Sequence, residues 1–366
     1  MEILEDKPSY KIITRRIAPP CPDNIFPNEV DIYSRELNRF YNSYNYYITP
    51  ECNDAIKYYN LFNVKRNVYY ESLIFYNSHD NEPIPESLLS RIESISSVVL
   101  CLVNYNHPLD NLPISVRVLI LELNPVLNSN STSAIFEYIH SLNNLPINLE
   151  ELILNVYYTG NLDYLPHNLK NLDCNNTTLS ATLDNLPSGL LDLKVPQHYD
   201  RPLENLPQQL ESLQIYYEYN HPLRHLPATL KDLDLGNNYY YDLVDLPVGL
   251  ETLSLLSTPR TIKFPKNLKT LCIGLNCNML ISAVQSRIPV SLETIYCDSY
   301  NLDLVYELLR YDIPSKLSEI YISAYYSYCC EGDEIYKQKQ IKKIKDSEQY
   351  KTLEDHLPAD VNIIIQ

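Results

Sequence analysis

The sequence predicts an α/β solenoid: short parallel strands stacked side by side, one per coil, forming a curved sheet on the concave side. Three observations lead there. The pair Leu-Pro recurs at Leu145, Leu165, Leu186, Leu206, Leu226 and Leu246, in steps of 20, 21, 20, 20 and 20 residues by subtraction. Each pair is followed by one apolar spacing, as in Leu206-Pro207, Leu210, Leu213 and Ile215, then Leu226-Pro227, Leu230, Leu233 and Leu235. A unit of that length, less a strand of about five residues and two turns, has no room for a three-turn helix.

The closing Leu-x-Leu of each unit is a period-2 pattern, with two side chains inward and the one between them outward. Proline just ahead holds its predecessor extended and has no N–H, so it suits the run-in to a strand. Extended or 3₁₀ backbone is then expected on the convex side of the middle units, and short helices in the later ones.

Taken in chain order, residues 1–66 fit no repeat and form an N-terminal cap or small module. Units occupy 67–325, the early ones degenerate around Ser72–Phe75 and Val98–Leu102. Between Pro113 and Leu145, residues Ser131–Leu142 carry an N-cap hydroxyl and an apolar stripe at Ile135, Ile139 and Leu142, which predicts a helix. The later units run to 24 and 25 residues, and helices are expected over Asn278–Val284 and Asn301–Leu309, so the return path turns helical near Cys277. Residues 326–366 are read as a charged helix, Glu334–Tyr350, and a closing strand after Leu357-Pro358.

A second signature accompanies the first: Tyr105-Asn106-His107-Pro108-Leu109, Tyr199-Asp200-Arg201-Pro202-Leu203 and Tyr219-Asn220-His221-Pro222-Leu223, each leading into a Leu-Pro pair. With it the chain resembles the FNIP repeats, leucine-rich-repeat relatives of social amoebae and of giant viruses of amoebae, over about residues 68–325. Tyrosine stands where that family usually has phenylalanine. The resemblance implies protein–protein interaction. It also implies an alternative role as the substrate-recognition subunit of a cullin-type ubiquitin ligase, since members often carry an amino-terminal F-box. Phe26-Pro27-Asn28-Glu29-Val30 is similar to the start of an F-box, whereas Tyr41–Tyr47 departs from its leucine-rich helices.

The expected binding surface follows from the in-out alternation. Outward positions of the middle units are rich in carboxylates and amides, among them Glu151, Asp173, Asp192, Gln214, Asp232 and Asp234. Strands about 4.8 Å apart would align these into an acidic strip that draws a protein partner with a basic surface. Tyrosines follow the strands at the rim, notably Tyr216, Tyr217, Tyr239 and Tyr240, and tyrosine gives contact area at little entropic cost. An exposed sheet face is polar without any ligand, and half of each tyrosine cluster is expected to pack the edge of the core. Asn124, Asn238 and Asn276 fall where an asparagine ladder would bind turn backbone, with Thr177, His198, Glu218 or Thr258 in other units.

Composition argues against several functions. A net charge of −17 opposes wrapping a phosphate backbone, so nucleic acid is not an expected partner. No apolar run reaches the length of a membrane span and the start lacks the pattern of a signal peptide, which predicts a soluble, intracellular, cytoplasmic protein. The nine cysteines include no C-x-x-C, so neither metal nor cofactor is expected, and Cys174 and Cys297 are read as buried thiols. No nucleophile–base constellation stands out among the eight histidines. Cys329 and Cys330 invite comparison with ubiquitin-ligase effectors, but the residues after them are too few for a catalytic domain. A non-enzymatic scaffold is expected. The lysine run at Lys337, Lys339, Lys342, Lys343 and Lys345 reads as a solvated helix face.

Overall fold

The computed structural model describes residues 2–6, 10–17, 70–77, 83–122, 137–175, 177, 182–215, 219, 221–236, 238–277, 280–323 and 334–365. It divides into two compact units, Met1–Ala181 and Thr182–Gln366.

In the first unit, strands β1 (Glu2–Asp6), β2 (Tyr10–Ile17) and β3 (Tyr70–Asn77) pair antiparallel in succession. The ladder then becomes parallel through β4 (Val98–Val103), β5 (Val116–Glu122), β7 (Glu151–Asn155) and β9 (Asn171–Asp173). Helix α1 (Glu86–Glu93) precedes β4 and buries Leu88 and Ile92, one turn apart on one face, with Glu86 in its first turn. That 88/92 spacing was available in the sequence, but the segment is not expected to be helical there. Conversely, the helix expected over Ser131–Leu142 does not reach its end. Glu137–Tyr138 form a short strand, β6, paired with β8 (Tyr157–Tyr158), and Leu142 is buried from a loop. Tertiary pairing overrides the local stripe here; residues 131–136 lie outside the described residues.

The second unit repeats one coil. Strands β10 (Asp192–Val195), β11 (Ser212–Ile215), β12 (Asp232–Leu235), β13 (Thr252–Ser257), β14 (Thr270–Asn276), β15 (Thr294–Asp298), β16 (Glu319–Ser323) and β17 (Asn362–Ile365) pair parallel in that order. Leu193, Leu213, Leu233, Leu253, Leu271, Ile295 and Ile320 stand in register, and each is at most 1 % exposed. This inward column is the spine of the unit, each member contributing about 1.5–3 kcal/mol by leaving water. The expected in-out alternation holds along it.

The Leu-Pro pair has a defined mechanical role. In coil after coil the proline carbonyl accepts the N–H of the leucine three residues on: Leu210 from Pro207, Leu230 from Pro227 and Leu250 from Pro247, each at 3.1 Å. A tight turn therefore delivers the chain to each strand at one angle. The next residue alternates in charge from coil to coil, and Lys231 meets Glu211 at 2.9 Å while Lys269 meets Glu251 at 2.9 Å. Exposed pairs of this kind add little stability. Their alternation disfavours a one-coil slip, which would set like charges together.

The return path changes where the longer units predict it. No helix is found among the described residues between 182 and 277, after which α2 (Leu280–Ala283) and α3 (Leu302–Leu309) appear. The expected C-terminal helix is two helices, α4 (Glu334–Asp346) and α5 (Glu348–His356). Ser347 breaks them: its Oγ donates to the Ile344 carbonyl at 2.6 Å and accepts the Tyr350 N–H at 3.2 Å, capping α5. The closing strand forms as β17.

Candidate functional site

The outward rows of the second unit are set by the same register. One row runs Asp192, Ser212, Asp232, Thr252, Thr270, Thr294, Glu319 and Asn362; the next runs Lys194, Gln214, Asp234, Ser254, Cys272, Tyr296, Tyr321 and Ile364. Asp192, Gln214 and Asp234 are half-buried and Asp232 is exposed, so four of the expected site residues share one face of one unit. Lys194, buried on that same face two residues from Asp192, tempers its acidity.

The first unit differs. Asp173 is half-buried on β9, whereas Glu151 is only 3 % exposed and does not present a carboxylate to solvent. Its register partner on β5 is Val118, itself buried, and β4 is buried on both faces. Strands covered on both faces read as unbroken apolar runs. Val98–Val103, VVLCLV, is such a run, so the sequence carried a signal that the alternation pattern does not apply to β4.

The tyrosines separate into two roles. Tyr199, Tyr219 and Tyr239 are buried, and their hydroxyls accept the N–H of Leu183, Leu203 and Leu223 at 2.9, 3.1 and 3.1 Å, each sixteen residues upstream. In the first unit Leu142 donates to Tyr158 with the same spacing, and the Tyr158 hydroxyl donates to the Asn161 carbonyl at 3.0 Å. Where the spacing next falls on Pro259, the Leu243 N–H turns to the Thr261 carbonyl at 2.7 Å instead. The phenol thus satisfies a backbone donor that would otherwise be stranded in the core. Burial pushes these phenols up, Tyr239 to about 12, against the partial offset of the Leu223 bond. Tyr239, expected at the binding rim, is therefore a core strut at 3 % exposure, while its neighbour Tyr240 is 55 % exposed. Tyr216 and Tyr217 lie outside the described residues, as do Cys329, Cys330 and Phe26–Val30.

Two residues on the outward face escape the sequence reading. Tyr296 and Tyr321 stack with ring centroids 4.7 Å apart and planes 8° from parallel, and the Tyr321 hydroxyl donates to Glu319 Oε2 at 3.1 Å. Tyr321 is pushed up to about 12, chiefly by burial and then by the Glu319 bond and charge. The available signal was that each follows the isoleucine of the inward column, Ile295-Tyr296 and Ile320-Tyr321, and so occupies an equivalent strand slot.

The expected asparagine ladder is displaced. Asn238 and Asn276 are exposed, and Asn124 lies outside the described residues. Other residues bind the turn backbone. Ser257 Oγ donates to the Gly236 carbonyl, Cys277 Sγ to that of Leu255 at 3.2 Å, and Asn301 Nδ2 to that of Gly274 at 2.9 Å, all buried. Cys174, Cys277 and Cys297 are buried free thiols raised chiefly by desolvation, Cys277 to about 12, which makes them poor nucleophiles. Among the described residues no group of His, Cys, Asp or Glu could hold a metal ion, and no helix is long and apolar enough to cross a membrane.

Stacked coils with an inward leucine spine and polar outward rows define a leucine-rich-repeat type of parallel β-solenoid. Residues 199–238, two consecutive coils, match the FNIP Repeat family model. A similar solved structure is YopM from Yersinia enterocolitica WA-314, 19% identical over 62% of this chain and 60% of that one, with a TM-score of 0.29. This chain spans 60% of that protein's length. No curated protein matches the chain.

Proposed function

We propose that the protein is a non-enzymatic interaction scaffold that holds a protein partner on the outward face of its sheet. The observation that carries this reading is the register of β10–β16. It sets Asp192 and Asp232 in one outward row and Gln214 and Asp234 in the next, and that second row continues to the Tyr296–Tyr321 stack. Carboxylates at one end attract and orient a basic partner, and the half-buried Tyr296 ring, backed by the buried Tyr321, gives contact area at the other. Like positions on adjacent strands lie about 4.8 Å apart, so Asp234 and Tyr296, three strands apart, are separated by about 14 Å. A partner segment laid across the strands reaches both. Among the described residues Cys174, Cys277 and Cys297 are buried with raised thiols, which suits core packing better than nucleophilic chemistry.

The test is selection of random twelve-residue peptides displayed on phage against the full chain. Enriched peptides should combine Lys or Arg with an aromatic residue. They should lose binding to Asp232→Asn/Asp234→Asn and to Tyr296→Ala. No enrichment, or binding indifferent to both sets of changes, would refute the reading.

A further inference from the structure

β17 ends the ladder of the second unit, and the pairing parity of β16 decides which of its backbone groups are used. Asn362 donates its N–H to the Ser318 carbonyl at 2.8 Å and sits opposite Glu319. Along a strand the N–H and C=O of one residue point to the same edge, and those of the next point to the other. Asn362 and Ile364 therefore direct their backbone groups to β16. Ile363 and Ile365 hold two donors and two acceptors toward the open edge, beyond which no described strand follows.

The side chains tell a matching story. Ile363 registers with Ile320 and so continues the inward column, yet it is half-buried where its seven predecessors are sealed. Ile365, opposite Ile322, is half-buried too. Helix α5 packs its end against α3 on the return side, where His356 Nε2 lies 3.3 Å from the Leu309 carbonyl. Among the described residues the spine thus ends in half-buried isoleucines whose edge-facing peptide groups meet no further strand.

Edges that must not associate are blunted by charge, proline or a bulge. β17, NIII, carries no charge, no proline and no shift.

We propose that β17 is a self-association edge at which a second copy of this chain adds its own β17. Antiparallel pairing about a two-fold axis through Ile364 places Ile363 of each copy opposite Ile365 of its partner. That satisfies all four free groups on each strand with an identical set. The same operation sets the Ile363 and Ile365 side chains of both copies on one face, where each pair covers the exposed end of the other's column. Four residues a side make a small interface, so the dimer is concentration-dependent. With −17 on each copy, added salt should strengthen it.

Sedimentation velocity of the full chain from about 1 to 200 µM tests this across the range where a small interface associates. The mass should rise from 42.6 kDa toward twice that, 85.2 kDa. Over the same range the amides of Ile363 and Ile365 should gain protection from hydrogen exchange, while those of Asn362 and Ile364 stay unchanged. Ile365→Pro removes an N–H that β16 does not use, and should hold the chain at the monomer mass with its melting temperature intact. A monomer at every concentration, or a dimer whose formation leaves the Ile363 and Ile365 amides unprotected, overturns the proposal whether or not the variant folds. Persistence of the dimer in folded Ile365→Pro does the same.

Discussion

Tyr219→Phe removes one atom and tests why this chain uses tyrosine where its FNIP-like repeats resemble a phenylalanine family. The ring is buried and its hydroxyl accepts the Leu203 N–H at 3.1 Å, with Leu203 itself buried. Phenylalanine keeps the packing and strands that donor. A hydrogen bond contributes about 0.5–1.5 kcal/mol net, and an unsatisfied buried donor costs about 1–3 kcal/mol, so the expected loss is about 1–3 kcal/mol. The second unit has 366 − 182 + 1 = 185 residues, and at that size each kcal/mol lowers the melting temperature by about 2–4 °C. Thermal unfolding followed by circular dichroism measures this, with Tyr240→Phe as the exposed control, expected within about 0.5 kcal/mol of the parent. The local readout is faster hydrogen exchange at the Leu203 amide. Equal stability of the two variants, with Leu203 protection unchanged, would refute the strut assignment.

Leu233→Asp should unfold several coils, since it forfeits about 1.5–3 kcal/mol of apolar burial and adds several more for a desolvated carboxylate. Asp232→Asn, one residue away and outward, should stay within about 0.5 kcal/mol in the same urea titration; equal effects would contradict the in-out register. Alkali should destabilise the second unit. The unfolded Tyr239 phenol ionises near its ordinary value of 10.0 and the folded one near 12, so its contribution is intact below pH 10 and lost as pH rises toward 12. The tyrosinate absorbance that Tyr239→Phe removes, read as the difference from the parent, should appear only with unfolding; its rise ahead of unfolding over that interval would contradict this. Cys277 and Cys297 should resist alkylation at pH 8 until the chain unfolds, read by mass spectrometry of the labelled peptides, because both are buried with raised thiols.

Much of the coil is legible in one dimension. Leu210, Leu213 and Ile215 sit where they do because the strand period is two and the turn after Leu206-Pro207 is closed by atoms three residues apart. Such contacts are local, so spacing alone encodes them, and the helices at Leu280 and Leu302 follow from unit length in the same way. Other features depend on groups that meet only across coils. Whether a tyrosine is a strut or a rim residue turns on a leucine amide sixteen positions back, which sets Tyr239 inside and Tyr240 outside. Ser257, Cys277 and Asn301 are the turn-binding residues because they meet carbonyls of the preceding coil, Gly236, Leu255 and Gly274, which no residue type announces. The sequence by itself determined the period, the inward column and the polarity of the outward rows, because these arise from chain geometry within one coil. Tertiary structure alone decided that Glu151 is buried, that Tyr296 lies on Tyr321, and that Ile363 ends a column, because each depends on what a neighbouring coil supplies or leaves open.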